Sequence, residues 1–544
     1  MDSIRIEPRP GGVFCEPLVM ITREVKTWAG LILSGLLLTA AFPKPSFDWL
    51  AWGALLPFLW ALNGTAPKEA FRRGFIFGIA HFSSLLYWLV PTMVLYGHLP
   101  TLLSVGILFL FASILSLVFV APMSCGYIAV GRTPLQALLF FPVMWVGSEY
   151  LRTFLFTGFP WGLLGASQIP RLQLIQLSDI VGVYGLSALV AMANAALFLG
   201  ALAIIRKNWQ ASPVSARVAI GGIAAAAGLA ALVWGYGGVR LAEIDRMVST
   251  APTVRVAIIQ GNIEQSQKWD PAFQAATIEK YIRLSLSVRE REPDLIVWPE
   301  SAAPFYFLRE VPPTRMLLAG VAAADTYFLI GAPAFEPRGP AVDYFNRAYL
   351  LGPGGSVLGH YDKAHLVPFG EYVPFKAYLP FLGKIVEHVG DFAAGPTGRV
   401  LEWRGHRLGV QICYEIIFPR LSRLLVQNGA GLLITITNDA WYGTTAGPYQ
   451  HFSLAALRAV ETRRTLVRAA NTGISGFIDP VGRVLDPTAL MAEAVVTRPV
   501  PLLEVESFYA RHGDLFAAGC LAIGIAGAGW GGWSSRRKRP ATGS

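Results

Sequence analysis

The sequence predicts an α/β layered domain set within a polytopic bundle of eight transmembrane helices. Two observations predict the bundle. Composition is 53% hydrophobic and 15% charged, against about 25% charged in ordinary soluble proteins. Apolar stretches recur at 27–43, 48–63, 74–95, 101–131, 135–153, 179–205, 217–238 and 514–533, against the roughly 17–25 residues a spanning helix needs. A third predicts the domain: in 241–511, short apolar strands alternate with helical stretches, the pattern of a layered α/β fold.

The leader 1–26 mixes Pro, Gly and charge and is expected to be disordered, with Met20 as an alternative start. No cleavable signal peptide is expected, because the first apolar run leads straight into more spans. The first two spans are short, and the fourth is long and expected to break near Pro122. Net charge is +10, but the basic residues sit at the ends of apolar stretches rather than in one cluster, which argues against nucleic-acid binding. Lys68, Arg72, Arg73, Arg132, Arg206, Lys207, Arg217 and the basic tail 536–544 fall in alternate loops. Short basic loops stay in the cytoplasm. Transmembrane helices 1–7 are therefore expected over 27–240 and the eighth over 512–535, with both termini cytoplasmic. The 241–511 domain then lies on the far side, the periplasm of a bacterium, together with the loop 154–178. Glu149 and Arg152 stand one helical turn apart near the end of the fifth span and are expected to pair.

Within the domain, strands are expected at 254–260, 294–300, 327–331, 348–351, 407–413, 431–437, 465–470 and 475–479, with helices at 271–291, 313–324 and 448–461. The close succession of 465–470 and 475–479 reads as a hairpin and makes the sheet mixed. Residues just past strand ends are where ligands bind in such sheets. Three stand there or in a polar loop: Glu300, Lys363 and Cys413. Taken singly, each has an ordinary explanation: a capping carboxylate, a surface charge, a small buried hydrophobe. His360 and His365 flank Lys363 without a cysteine or acidic set to complete a metal site, so no metal is expected. Four scattered cysteines give no disulfide framework.

Glu300, Lys363 and Cys413, in this order and with these neighbours, resemble the catalytic triad of the nitrilase, or carbon–nitrogen hydrolase, superfamily. The stretches are QGNI at 260–263 with KW at 268–269, WPES at 298–301, KAHLVPFGEY at 363–372, CYE at 413–415 and TNDAWYG at 437–443. Set between a seventh and an eighth span, they resemble the apolipoprotein N-acyltransferase family in particular. The resemblance implies a nitrilase-like αββα domain, with Glu300 as general base, Lys363 as electrostatic stabiliser and Cys413 as nucleophile. It makes Glu371 and Glu415 supporting carboxylates, puts Tyr414 beside the nucleophile, and sets Trp269 and Trp441 along the substrate path. It implies transfer of an acyl chain from a phospholipid through a cysteine thioester to the α-amine of a diacylglyceryl apolipoprotein. No cofactor is implied, and the expected partners are these two substrates and the lipid bilayer, with the enzyme a monomer. Each half of the logic is physical: a thiol needs a base to become a thiolate, and a tetrahedral oxyanion is stabilised by a buried ammonium. The apolar loops 304–308 and 375–382 are expected to keep water from the thioester. Two other readings remain: a membrane-anchored nitrilase-type amidase acting on a small amide or nitrile, and a transporter or structural membrane protein carrying an inactive domain.

Overall fold

The computed structural model describes residues 16–373 and 391–537. Its soluble part has twelve strands: β1 Thr253–Gln260, β2 Leu295–Val297, β3 Tyr327–Arg338, β4 Ala341–Leu351, β5 Val357–Asp362, β6 Val400–Trp403, β7 His406–Ile412, β8 Leu432–Thr437, β9 Thr465–Ala470, β10 Gly476–Ile478, β11 Val484–Leu485 and β12 Ala494–Pro501. They form two six-stranded sheets, ordered β12-β1-β2-β3-β4-β5 and β11-β10-β9-β8-β7-β6. Both sheets are mixed. β1, β2 and β3 run parallel, as do β7, β8 and β9, while β9 and β10 pair antiparallel, as their sequence spacing predicts.

The period of two along each strand builds the layers. Val254, Val256 and Ile258 of β1 join Val410, Ile412, Ile434 and Val467 in a core between the sheets. Ala257 and Ile259, alternating with them, face helices Pro271–Leu286 and Val311–Ala324 through Ile278, Tyr281, Leu317 and Val321. On the other side, Leu433 and Leu466 lie under helices Pro419–Gln427 and Gly447–Thr462. The order is helix, sheet, sheet, helix: the expected αββα sandwich. Each fully buried aliphatic side chain contributes about 1.5–3 kcal/mol.

The second helical layer has no boundary with the membrane body. Ile416, Ile417, Leu425 and Leu457 share one continuous apolar core with Leu85, Trp161 and Leu186. Polar links cross the same seam. Asp179 accepts from Arg463 Nη2 at 2.7 Å, Arg240 Nε at 2.7 Å and Tyr236 Oη at 2.6 Å, and Arg463 is wholly buried. Removing one partner of a buried pair leaves an uncompensated charge and costs about 3–5 kcal/mol. Asp179→Ala is therefore expected to lower stability by about that much, read as a fall in thermal midpoint in detergent; an unchanged midpoint would mean that the seam is held by apolar packing alone.

Among the described residues, three helices are long and apolar enough to cross a membrane: Thr101–Val130, Val183–Ile204 and Ala216–Thr250. Pro67–Leu85 with Leu89–Leu95, bent by 54°, makes a fourth if the pair is one span. Leu102, Ile204, Ile220, Leu232 and Val239 are exposed on these three helices, as a lipid-facing surface requires. The expected spans 48–63 and 514–533 fall on shorter apolar helices, Asp48–Leu62 and Leu515–Gly531. Those at 27–43 and 135–153 fall on helices Glu16–Ala40 and Pro134–Phe154. Two expectations are corrected. Part of the leader is helical, since the first helix begins at Glu16. The fourth span does not break at Pro122: a π turn, Ser116–Val120, carries the helix through, and Pro122 sits at the start of the next helical segment, where its missing N–H costs least.

Glu149 and Arg152 do not pair with each other as expected. Glu149 Oε1 accepts from Trp145 Nε1 at 3.0 Å and Leu164 N at 2.6 Å. Arg152 Nη1 donates to the carbonyls of Phe159 at 3.0 Å and Trp161 at 2.5 Å. Both side chains fasten the 154–178 loop through its backbone groups, while their charges still attract one another.

Candidate active site

Glu300, Lys363 and Cys413 come from three different strand ends and meet at one end of the sandwich. β2 stops at Val297, and the turn through Trp298 and Pro299 delivers Glu300. β3 passes close beneath that turn at Gly331, where a Cβ would lie 2.6 Å from Pro299 O and Ser301 N; only glycine permits this approach. The antiparallel register of β4 and β5 sets Arg347 opposite Asp362. Arg347 Nε and Nη2 donate to both Asp362 oxygens, at 2.5 and 3.0 Å. Lys363 follows and is fixed by its own N–H on Asn346 O at 2.9 Å. β7 ends at Ile412, and Cys413 turns the chain with φ +55°, a left-handed conformation that non-glycine residues adopt only when the surroundings hold them there.

The carboxylates are aimed by hydrogen bonds. Glu300 Oε1 accepts from Asn346 Nδ2 at 2.7 Å and Oε2 from Asn438 N at 2.8 Å. Lys363 Nζ donates to Glu371 Oε1 at 2.9 Å and lies 3.9 Å from Glu300 Oε1. Asn346 Nδ2 also donates to Glu371 Oε1 at 3.0 Å, so one amide bridges the two acids. Burial works against the Lys363 ammonium, but Glu371 and Glu300 outweigh it and hold its pKa above the ordinary lysine value. Lys363 is a permanent cation at neutral pH. Burial first, then the Glu300 carboxylate, pushes the Cys413 thiol well up, against the pull of Lys363. Cys413 therefore rests as a thiol, not a preformed thiolate, and to act as a nucleophile it must lose its proton as the bond to carbon forms.

The supporting residues divide. Glu415 is wholly buried beside the Cys413 turn: Oε1 accepts from Tyr361 Oη, Ala364 N and His365 N at 2.9, 2.7 and 3.0 Å, and Oε2 from Ile412 N at 2.6 Å. Burial pushes its pKa up to about 7 against these donors. Its work is to tie the Lys363 loop to the Cys413 turn. Tyr414 is buried, with its ring 5.3 Å from Phe418 and 5.9 Å from His365. Trp269 is half-buried at the end of helix Gln265–Lys268. Trp441 sits on the membrane body, its ring 5.1 Å from Tyr96 and its carbonyl accepting from Thr92 Oγ1 at 2.8 Å. Of the two loops expected to exclude water, 304–308 is mainly core: Phe305 and Phe307 are buried, and only Leu308 is exposed. The loop 375–382 lies outside the described residues.

Sequence reasoning passed over Asn346, Asn438 and Lys268. Asn438 lies in the TNDAWYG stretch and Lys268 in the KW pair, so a signal existed for both. Lys268 is buried, donates to Glu300 O at 2.9 Å, and faces Glu300 and Cys413 electrostatically. Burial pulls its pKa down to about 8. The folded state thus binds fewer protons than the unfolded chain between about 8 and 10.5, and stability rises with pH across that window. The thermal stability of the protein relative to Lys268→Met is expected to rise by roughly 2 kcal/mol between about pH 7.5 and about pH 9.5; no change, or a fall, would contradict a buried, depressed ammonium. Among the described residues, no group of three or more His, Cys, Asp or Glu is placed to hold a metal ion.

Comparison with known proteins accounts for both parts of the chain. Residues 34–196 match the family described as Apolipoprotein N-acyltransferase N-terminal domain, and residues 255–510 match Carbon-nitrogen hydrolase. The chain is 45% identical over 495 residues to an apolipoprotein N-acyltransferase of Geobacter metallireducens, covering 90% of this chain and 92% of that one. It is 31% identical to one of Methylococcus capsulatus, covering 91% and 94%, and 34% identical to one of Brucella melitensis, covering 85% and 88%. A solved amidase of Nesterenkonia sp. is 20% identical with a TM-score of 0.34, covering 48% of this chain and 92% of that one. With relatives aligned through membrane body and hydrolase domain alike, the chain belongs to the apolipoprotein N-acyltransferase family, integral membrane acyltransferases that carry a carbon–nitrogen hydrolase domain.

Proposed function

We propose that this enzyme moves an acyl chain from the sn-1 position of a membrane phospholipid to the α-amine of the N-terminal diacylglyceryl-cysteine of an apolipoprotein, the last step of lipoprotein maturation. Cys413 Sγ attacks the ester carbonyl as Glu300 takes the thiol proton. Lys363 faces the developing oxyanion. The carbon–oxygen bond to glycerol breaks, Glu300 returns the proton to the departing alkoxide, and a lyso-phospholipid leaves behind a thioester. The lipoprotein amine then attacks the thioester carbonyl. Glu300 accepts a proton from nitrogen, the carbon–sulfur bond breaks, and that proton returns to sulfur. The acceptor suits this chemistry, because an α-amine with a pKa of about 7.7–8.0 is partly neutral near neutral pH. Thioester to amide is downhill, so neither nucleotide nor metal is needed.

The observation that carries the reading is the seating of the site on the membrane body. Tyr96 Oη donates to Ala440 O at 2.9 Å, Ala446 N donates to Tyr87 Oη at 3.0 Å, and Trp88 and Trp161 both donate to Gln450. The segment following Asn438, which holds Glu300, thus rests on aromatic residues of the bundle, and both substrates are lipids. Loop charges support a periplasmic catalytic domain with cytoplasmic termini on eight spans. The test is a chase: enzyme exposed to phospholipid, freed of it, then given a diacylglyceryl peptide. Amide product formed without donor present supports a ping-pong transferase. Free fatty acid with no amide sinks it in favour of a hydrolase.

A further inference from the structure

Two adjacent side chains on the first turn of helix Gly447–Thr462 serve different layers of the protein. Gln450 Oε1 accepts from the membrane-body indoles of Trp161 and Trp88, at 2.7 and 3.2 Å. The next residue, His451, is wholly buried, and its Nε2 lies 3.1 Å from the carbonyl oxygen of Cys413. A carbonyl oxygen only accepts, so Nε2 carries the proton. The other ring nitrogen is gripped from behind. Nδ1 lies 3.0 Å from Arg468 Nη2 and 2.9 Å from Asp439 Oδ1. Arg468 Nη2 donates to Asp439 Oδ2 at 2.8 Å, and Thr437 Oγ1 to Asp439 Oδ1 at 2.9 Å. Asp439, Arg468 and Thr437 are all buried. Burial and the Arg468 cation push the His451 pKa down against the Asp439 carboxylate, and the ring donates at Nε2 with Nδ1 held between Arg468 and Asp439. Its plane lies 19° from that of Trp161 with centroids 5.8 Å apart.

The contact falls where the nucleophile's backbone is most in need of support. The β7–β8 ladder ends with Ile412 opposite Ile436, and Cys413, one residue on, has φ +55°. A non-glycine residue in that region costs about 1–2 kcal/mol unless it is held. Asp439, which orients the ring, is held close by the chain beyond β9: Gly473 passes so near that any Cβ there would strike its carboxylate.

We propose that His451 is a positioning residue for acyl transfer: it holds the Cys413 carbonyl and so fixes the left-handed turn that presents the thiol, with Asp439 and Arg468 setting the angle of its ring. Through Trp161 and Gln450 the same helical turn ties that geometry to the membrane body. The inference rests on Cys413 being the nucleophile. Small misplacements of reacting groups cost up to about 100-fold in rate.

The test uses the full-length protein in detergent, with His451→Phe, which keeps the ring but loses the donor, and His451→Gln, which offers an amide N–H in its place. The limiting rate of acyl-enzyme formation, the apparent KM for phospholipid, the rate of Cys413 alkylation by iodoacetamide and the thermal midpoint are measured. The expected result for His451→Phe is a limiting rate down about 10- to 100-fold at near-constant KM, with alkylation altered in step and largely restored in His451→Gln. A wild-type limiting rate in His451→Phe overturns the proposal. So do equal losses in the two variants, which would point to packing. Should His451→Phe not accumulate, Asp439→Asn is expected to give the same split at smaller amplitude, and an unchanged limiting rate there also overturns it. Cys413→Ala run alongside separates the two readings. An acyl adduct that survives in it removes the nucleophile, and the positioning role with it. Loss of the adduct there supports the nucleophile, and the His451 variants then decide the positioning role alone.

Discussion

Cys413→Ala is expected to abolish both thioester formation and N-acylation while leaving the protein folded and membrane-inserted. In the proposed scheme both halves of the reaction pass through Sγ, so the loss is total rather than graded. The side chain is small and sits at the rim of the inter-sheet core, and removing its sulfur costs little packing beside the aliphatic layer behind it. Cys413→Ser is expected to lose nearly all activity. A buried hydroxyl is harder to ionise than the thiol, and the thiol itself is already raised by burial and by Glu300. Activity and thermal midpoint measured on the same preparations check this. Retained N-acylation in purified Cys413→Ala would end the mechanism.

Glu300→Gln is the second large effect. Because Cys413 rests as a thiol, the proposed attack needs a base in place, and the Glu300 carboxylate is held by Asn346 and by Asn438 N. Glutamine keeps the shape but takes no proton. Loss of a positioned general base costs typically about 10²–10⁴-fold. The fall is expected in both half-reactions, because the same carboxylate handles the thiol proton in the first and the amine proton in the second. Single-turnover acylation and the chase of preformed acyl-enzyme measure them separately. A defect confined to acylation would show that another group deprotonates the amine. Lys268, buried with a pKa near 8 and donating to Glu300 O, is the first candidate.

The sequence was most legible where a candidate site residue ends a strand. Cys413 and Glu300 follow short apolar runs, and Glu371 follows Lys363 within one polar loop. The αββα layering was also legible, because alternation along 254–260 marks two buried faces. What could not be read depends on register and burial. Asn346 reaches both carboxylates only because β4 begins at Ala341, well before the apolar run at 348–351 that marks it in sequence. Trp269 drew attention and Lys268 did not, yet the lysine is the buried one of the pair; a four-residue helix has no periodicity from which to tell its faces. Aromatic composition misled in the other direction at 304–308, where Phe305 and Phe307 fill the helix-to-sheet core. Charge spacing showed only part of Glu149 and Arg152, whose hydrogen bonds go to loop backbone groups. His451 reads from sequence as an interior residue of a helix, and its partners, Asp439, Arg468 and Cys413, are set by the packing of that helix on β7, β8 and β9.

The central claim is that Cys413 carries the acyl chain. Intact-mass analysis of the full-length enzyme after exposure to phospholipid, followed by peptide mapping, tests it most directly. The account predicts one acyl adduct per chain, located on Cys413, labile to a neutral amine and discharged by a diacylglyceryl peptide. An adduct on any other residue, or turnover with no adduct under conditions that withhold the acceptor, would contradict it.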